Sequence, residues 1–120
     1  MADTVRPDLL SHYARSLGIE VSGFEDGVPV LCVSGIDAIE GRPGHFHGGA
    51  TSGLMETAAY AALRVALHES NEDAQLKPIN ITVQFLAAAK KAPLFAKARI
   101  TKLGRRSANV TVEAWQEERE

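Results

Sequence analysis

The order of apolar and polar residues along the chain predicts a short helix, two strands, a long helix and three more strands. In residues 6–17, apolar side chains recur every three or four positions, as in an amphipathic helix, and Gly18 follows as a stop signal. Residues 19–24 and 28–33 are predicted to be strands, because the stretch Glu25-Asp26-Gly27 between them favours a hairpin turn.

The second half of the chain predicts a buried helix and a sheet. Residues 48–68 are rich in alanine and apolar on nearly all sides, which is typical of a helix with close neighbours all around. Residues 78–88 are predicted to form a strand, and residues 94–102 and 108–115 alternate apolar and polar positions like half-buried antiparallel strands. The predicted fold class is α+β, with a long central helix wrapped by an antiparallel β-sheet and a short N-terminal helix.

Composition and charge narrow the function classes. The chain has 120 residues, which fits a single domain over residues 1–120, and a formal net charge of −2. A nucleic-acid-binding domain would carry a basic excess, so we expect no nucleic-acid partner. No apolar stretch is long enough to span a bilayer and no secretory signal precedes the fold, so we expect no membrane partner and a cytoplasmic location.

Glu56 is a candidate for chemistry on the long helix. Its neighbours at helical spacing, Ser52, Gly53, Ala59 and Tyr60, include no Lys or Arg to pair it. A carboxylate on an otherwise apolar helix is costly unless it is satisfied, and groups held in this way are often the acids and bases of a catalytic site. A solvated position on an exposed stripe explains the same pattern equally well.

The glycines ahead of that helix are a second candidate. Gly48 and Gly49 follow His47 where the helix is predicted to begin. The first N–H groups of a helix are unpaired and, with the helix dipole, favour negative charge such as the oxyanion of acyl transfer. Taken alone, a glycine pair is more simply explained as a turn that needs glycine.

Metal and thiol chemistry are not favoured. His45 and His47 would need a third metal ligand, and the remaining histidines, His12 and His68, are far away in sequence. The single cysteine, Cys32, lies in an apolar strand, where a free cysteine is usually a core residue. We therefore expect no metal and no cofactor.

In combination, these features resemble the signature of the PaaI-like group of hot-dog thioesterases. That signature is a His-Gly-Gly, matched by His47-Gly48-Gly49, followed nine residues after the histidine by a carboxylate, matched by Glu56, within an alanine-rich helix. Residues 82–89 resemble the third strand of the family and residues 103–107 its next hairpin. The resemblance extends from about residue 19 to residue 115, and the spacing from His-Gly-Gly to Glu is its most specific part.

The resemblance implies hydrolysis of an acyl-CoA thioester to free acid and CoA. It implies a homodimer, paired again into a dimer of dimers, with active sites at the dimer interface. The backbone N–H of Gly49 would polarise the thioester carbonyl and Glu56 of the partner chain would act as base or nucleophile, with His47 as the third catalytic position. The resemblance and the positions of small, polar and basic side chains give the expected substrate contacts: Gly48, Ser52, Tyr60, Asn80, Arg105 and Arg106.

Three departures from the family pattern keep other functions open. The family often has an Asn or Gln shortly before the histidine, but residues 40–43 contain no amide. A helper Ser or Thr one turn after the acid is replaced by Tyr60, and the family normally adds one strand beyond the position of Glu120, so we expect a sheet one strand short. A non-catalytic module that binds acyl-CoA or acyl carrier protein, and a hot-dog hydratase or dehydratase, are the alternatives.

Overall fold

A four-stranded antiparallel sheet and a 22-residue helix make up most of the fold. The computed structural model describes residues 8–34, 37–72 and 74–117. A 3-10 turn at Asp37–Ile39 lies between the second strand and the long helix. The sheet order is β1-β2-β3-β4, and the elements in chain order are α1 (His12–Ser16), β1 (Ile19–Glu25), β2 (Val28–Val33), α2 (Gly48–Glu69), β3 (Leu94–Leu103) and β4 (Ala108–Trp115).

The predicted turn between β1 and β2 is confirmed. The two strands are joined by Asp26 and Gly27, which have φ angles of 52° and 81°. A two-residue hairpin loop with positive φ at both positions matches the right-handed twist of the flanking strands, and Asp-Gly is a preferred sequence for it.

Helix α2 packs against the inner face of the sheet and forms the core with it. Leu54, Ala58 and Ala61 on the helix are fully buried, as are Leu31 on β2 and Ala96 on β3. The small side chains on both sides let the helix approach the sheet closely, so no large gap remains between the layers. The alternating burial along β3, which buries Leu94, Ala96 and Ala98, is the pattern that the sequence predicts.

The N-terminal helix is shorter than predicted. Helix α1 covers His12–Ser16, whereas the sequence predicts residues 6–17; Arg6 and Pro7 lie outside the described residues. The reason for the later start is Ser11, whose hydroxyl oxygen accepts a hydrogen bond from the Ala14 N–H at 3.1 Å. Serine is a preferred N-cap, and here it sets the first turn.

The strand predicted at residues 78–88 is not formed, which corrects the sequence interpretation. This extended segment makes no backbone hydrogen bond to any described residue. Its apolar side chains are exposed, to 85% for Ile79 and 91% for Leu86. The composition is that of a strand, but a strand needs a hydrogen-bonding neighbour, and the described parts of this single chain offer none beside it.

Candidate functional site

The loop before α2 and the first turn of that helix are organised around His47. The His47 N–H donates to the Ile39 carbonyl at 2.8 Å, and the imidazole Nδ1 accepts from the Gly49 N–H at 2.8 Å. His47 is therefore the N-cap of α2, with extended backbone angles of −64° and 138°. Because Nδ1 accepts, the proton of the neutral ring is on Nε2, which defines the tautomer.

The two glycines of the first turn differ in the hydrogen bonding of their backbone N–H groups. The Gly49 N–H is bound to His47, and the N–H groups of Ala50 and Thr51 both donate to the His47 carbonyl. The Gly48 N–H has no hydrogen-bond partner among the described residues, and Gly48 is exposed. The sequence interpretation used the Gly49 N–H to polarise a carbonyl, but the available donor in this arrangement is Gly48.

A cavity of about 580 Å³ opens beside Gly48. On one side it is lined by the loop and the start of α2, and on the other by residues 85–89. The Phe85 ring comes close to Gly48: a Cβ added to Gly48 would lie 3.6 Å from Phe85 Cζ, which is ordinary contact. Gly48 thus borders space large enough for a small acyl or thioester group.

Gly41 packs closely against the backbone of His47. A Cβ built on Gly41 would lie 2.9 Å from His47 Cα and 3.3 Å from the His47 backbone nitrogen. Both atoms are backbone and hold the start of α2, so they have little freedom to move away. The loop in this chain has closed against His47, and no side chain fits at position 41 without displacing it.

Glu56 lies on a different part of α2 from Gly48. It is half-buried and does not line the cavity. The two positions are eight residues apart, which corresponds to about 12 Å along the helix axis. One chain therefore does not bring the carboxylate of Glu56 and the N–H of Gly48 to the same small group.

The predicted substrate contacts also lie in separate parts of the structure. Ser52 and Tyr60 flank Glu56 at helical spacing and are half-buried with it. Asn80 is exposed on the extended segment. Arg105 and Arg106 lie in the turn between β3 and β4 and do not line the cavity.

Other residues at the cavity were not singled out from the sequence. Arg42 lines it next to Gly41, and Thr51 and Phe85 line it from the helix and the extended segment. Phe85 belongs to the stretch that resembles the third strand of the family, so its position was a usable signal. Arg42 lies in a loop that has no helical or strand-like periodicity of apolar residues, so no sequence pattern identified it.

Cys32 is a half-buried thiol on β2. Burial raises the pKa of the Cys32 thiol, and the nearby charge of Glu20 raises it further, so the thiol stays protonated at neutral pH. Among the described ranges, no group of three potential metal ligands is close enough to hold an ion. No helix in the described part of the chain is long and apolar enough to cross a bilayer.

Comparison with known proteins defines the class. Residues 43–120 match the model of the thioesterase superfamily. This chain belongs to the thioesterase superfamily, and its fold is the hot-dog fold of PaaI-like thioesterases. No curated protein matches the sequence significantly.

Solved structures from three bacteria are similar to this chain over most of its length. The conserved protein PA5202 of Pseudomonas aeruginosa is 26% identical, with a TM-score of 0.73 and 90% of this chain and 84% of that chain covered. The phenylacetic acid degradation protein PaaI of Thermus thermophilus is 19% identical, with a TM-score of 0.74 and coverage of 89% and 88%. A phenylacetic acid degradation-related protein of Ralstonia eutropha is 22% identical, with a TM-score of 0.71 and coverage of 92% and 83%.

Proposed function

We propose that this protein hydrolyses an acyl-CoA thioester to a free acid and CoA. Membership of the thioesterase superfamily supports thioester hydrolysis in general. The observation that carries the finer proposal is the unpaired N–H of Gly48 at the start of α2, a residue that lines a cavity of about 580 Å³. A backbone donor at a helix N-terminus stabilises the oxyanion that forms when a thioester carbonyl is attacked.

The second catalytic group is the Glu56 carboxylate. As a base it takes a proton from water, whose oxygen attacks the carbonyl carbon; the tetrahedral intermediate then expels the CoA thiolate, which takes up a proton. As a nucleophile it attacks the carbonyl carbon itself, expels the thiolate, and forms an anhydride that water hydrolyses. The nucleophilic route needs the carboxylate about 3 Å from the reacting carbon, and the base route needs it within hydrogen-bond distance of a water that itself lies about 3 Å from that carbon.

The active site is shared between two copies of the chain. Within one chain Glu56 lies about 12 Å along α2 from Gly48, which leaves the carboxylate too far from a carbonyl bound at Gly48. Four apolar side chains of the extended segment are exposed: Phe85 and Leu86, which line the same cavity, and Ile79 and Ile81, which lie earlier in the segment. A second copy that covers them would bring its own Glu56 to the first copy's Gly48.

The test of the reaction is CoA release from short, medium and aryl acyl-CoAs by the wild type and by Glu56→Gln. We expect the wild type to be active on at least one substrate and the variant to lose at least about a hundredfold in kcat. Glu69→Gln, an exposed acid at the end of the same helix, is the matched control and keeps its activity. Equal rates for the wild type and Glu56→Gln on every substrate would refute the proposal.

The test of the oxyanion donor uses Gly48→Pro and Gly48→Ala. Proline suits the first position of a helix and its predecessor His47 already has extended angles, so Gly48→Pro removes the N–H with little effect on the fold. Gly48→Ala keeps the N–H, and its Cβ meets only ordinary contacts. We expect Gly48→Pro to lose about a hundredfold in kcat and Gly48→Ala to stay close to the wild type.

Mixing the two inactive variants tests the shared site. In a heterodimer of Glu56→Gln and Gly48→Pro, one site combines the intact Gly48 of one copy with the intact Glu56 of the other. With random mixing we expect recovery of about a quarter of the wild-type activity. A site built within one chain would give no recovery, since each subunit would carry one defect.

One observation favours a second function, a non-catalytic module that binds acyl-CoA or an acyl carrier. Residues 40–43, where resemblance to the family leads one to expect an amide, contain none, and at position 41 the packing of Gly41 against His47 leaves no room for a side chain. For such a module, calorimetry would record acyl-CoA binding while no CoA is released. Detectable turnover that depends on Glu56 rules this alternative out.

A further inference from the structure

Three side chains form a stripe on the half-buried face of α2. Glu56, Tyr60 and Arg64 follow one another at intervals of four residues and are all half-buried. Residues four apart on a helix are neighbours on its surface. The Arg64 guanidinium carbon lies 6.0 Å from the centroid of the Tyr60 ring, within the range of a cation–π contact.

We propose that Tyr60 is a positioning residue that donates a hydrogen bond to the Glu56 carboxylate, and that Arg64 holds the Tyr60 ring in place. The role of Glu56 in this proposal rests on the proposed function. The geometric relation of the three side chains does not.

The electrostatics of Tyr60 agree with this arrangement. Desolvation by burial raises the pKa of its hydroxyl, and the negative charge of the nearby Glu56 carboxylate, a hydrogen-bond acceptor, raises it further. The positive charge of Arg64 opposes this shift. At neutral pH the phenol is protonated, so towards a carboxylate it acts as a donor.

A donor on one carboxylate oxygen has a direct consequence for catalysis. It fixes the rotamer of Glu56, which would otherwise be free on a half-exposed helix face, and leaves the second oxygen for water or the thioester carbon. Arg64 contributes through Tyr60: it restrains the ring and offsets part of the negative charge of the carboxylate.

The relation between Tyr60 and Glu56 is testable without any activity. The chain has two tyrosines, so Tyr13→Phe leaves Tyr60 as the only phenol, and its ionisation is followed by ultraviolet absorbance. In this background we expect the Tyr60 midpoint to lie above the ordinary tyrosine value of about 10. Adding Glu56→Gln removes the negative charge and the charged acceptor, so the midpoint falls.

Glu69→Gln in the same background is the control and leaves the Tyr60 midpoint where it is. Arg64→Gln removes the opposing positive charge, so the midpoint rises. Asp8, whose carboxylate is attracted by the charge of Arg64, and its ion-pair partner Arg15 at 2.7 Å are unchanged in these variants. A Tyr60 midpoint that does not respond to Glu56→Gln would overturn the proposal.

Activity provides the second readout. We expect Tyr60→Phe to lower kcat by about tenfold or more with little change in KM, because a hydrogen bond to a charged group is lost while binding surface is kept. Tyr13→Phe, at an exposed tyrosine, keeps the wild-type kcat. A wild-type kcat in Tyr60→Phe would overturn the positioning role.

The two readouts separate this proposal from the proposed function. If the wild type releases no CoA from any substrate, the proposed function fails, and the Tyr60 titration still decides whether Tyr60 holds Glu56. If Tyr60→Phe does not fold, as judged by circular dichroism, the titration again decides, because it uses the native Tyr60.

Discussion

Helix α2 and the extended segment at residues 78–88 are both apolar, yet most side chains of the helix are buried or half-buried and most of those of the segment are exposed. On α2, Leu54 and Ala58 are fully buried against the sheet. On the segment, Ile79 and Leu86 are exposed to 85% and 91%. The helix satisfies its backbone internally and needs only a surface to pack on, whereas an extended chain needs a hydrogen-bonding neighbour and a cover for its side chains.

The two regions meet at the cavity. The start of α2 supplies Gly48 and the end of the segment supplies Phe85, while Glu56 lies further along the helix and outside the cavity. One chain alone therefore completes the packing of α2 on the sheet. The segment at residues 78–88 stays uncovered, and we propose that a second copy binds there and completes the site.

The largest expected effect is on the helix side of this comparison. Leu54→Ala leaves a cavity between α2 and the sheet and should lower the free energy of unfolding by about 3 kcal/mol. The measurement is urea denaturation at a concentration where the protein is monomeric. Leu86→Ala is the control: at that concentration its side chain is already in water, and the expected change is below about 0.5 kcal/mol. Equal losses in the two variants would contradict the contrast.

On the segment side, the expected effect is on association. Leu86→Lys puts a charge in the proposed interface and should weaken dimerisation by about 2 kcal/mol, or roughly thirtyfold in Kd. Sedimentation or gel filtration across a concentration series measures it. Leu103→Lys, an exposed leucine at the far end of β3, leaves the Kd unchanged. A dimer unaffected by Leu86→Lys would move the interface elsewhere.

A smaller effect is expected at the boundary between the two regions, at the cap of α2. His47→Ala removes the Nδ1 acceptor of the Gly49 N–H and should lower the free energy of unfolding by about 1 kcal/mol. Asparagine is a good N-cap, so His47→Asn should retain most of this stability. If thermal denaturation finds both variants equally destabilised, the cap is not the stabilising element.

The smallest effect concerns Cys32 on the scaffold. Its raised pKa means that the native thiol holds its proton at a pH where an ordinary thiol, with a pKa of about 8.5, has begun to ionise. Alkylation by iodoacetamide requires the thiolate, so the rate in the native protein should rise only at a higher pH than in denaturant. Glu20→Gln removes one cause and lowers the native midpoint. Identical pH profiles in the two states would show that Cys32 is not desolvated.

Much of the fold was predictable because its signals are local. The alternation along β3, the Asp26-Gly27 turn and the alanine-rich α2 each specify their own structure within a few residues, and the spacing of His47 and Glu56 indicated the superfamily. Helix α1 was predicted too long because a serine cap competes with helical periodicity, and periodicity alone does not decide where a helix begins.

Features that depend on contacts between residues far apart in the sequence were decided by the tertiary structure. The sequence of residues 78–88 has the composition of a strand, but strand formation depends on a partner that the described residues do not supply. The Gly49 N–H donates to the His47 ring, which is why the proposed donor is Gly48. A Cβ on Gly41 would lie only 2.9 Å from His47 Cα, a contact that the sequence does not reveal. The sequence by itself determined which residues are available for chemistry, through composition and spacing. The three-dimensional packing determined which of their atoms lack a hydrogen-bond partner and which have room around them. These properties depend on the distances between groups in the folded chain, and a local stretch of sequence does not specify those distances.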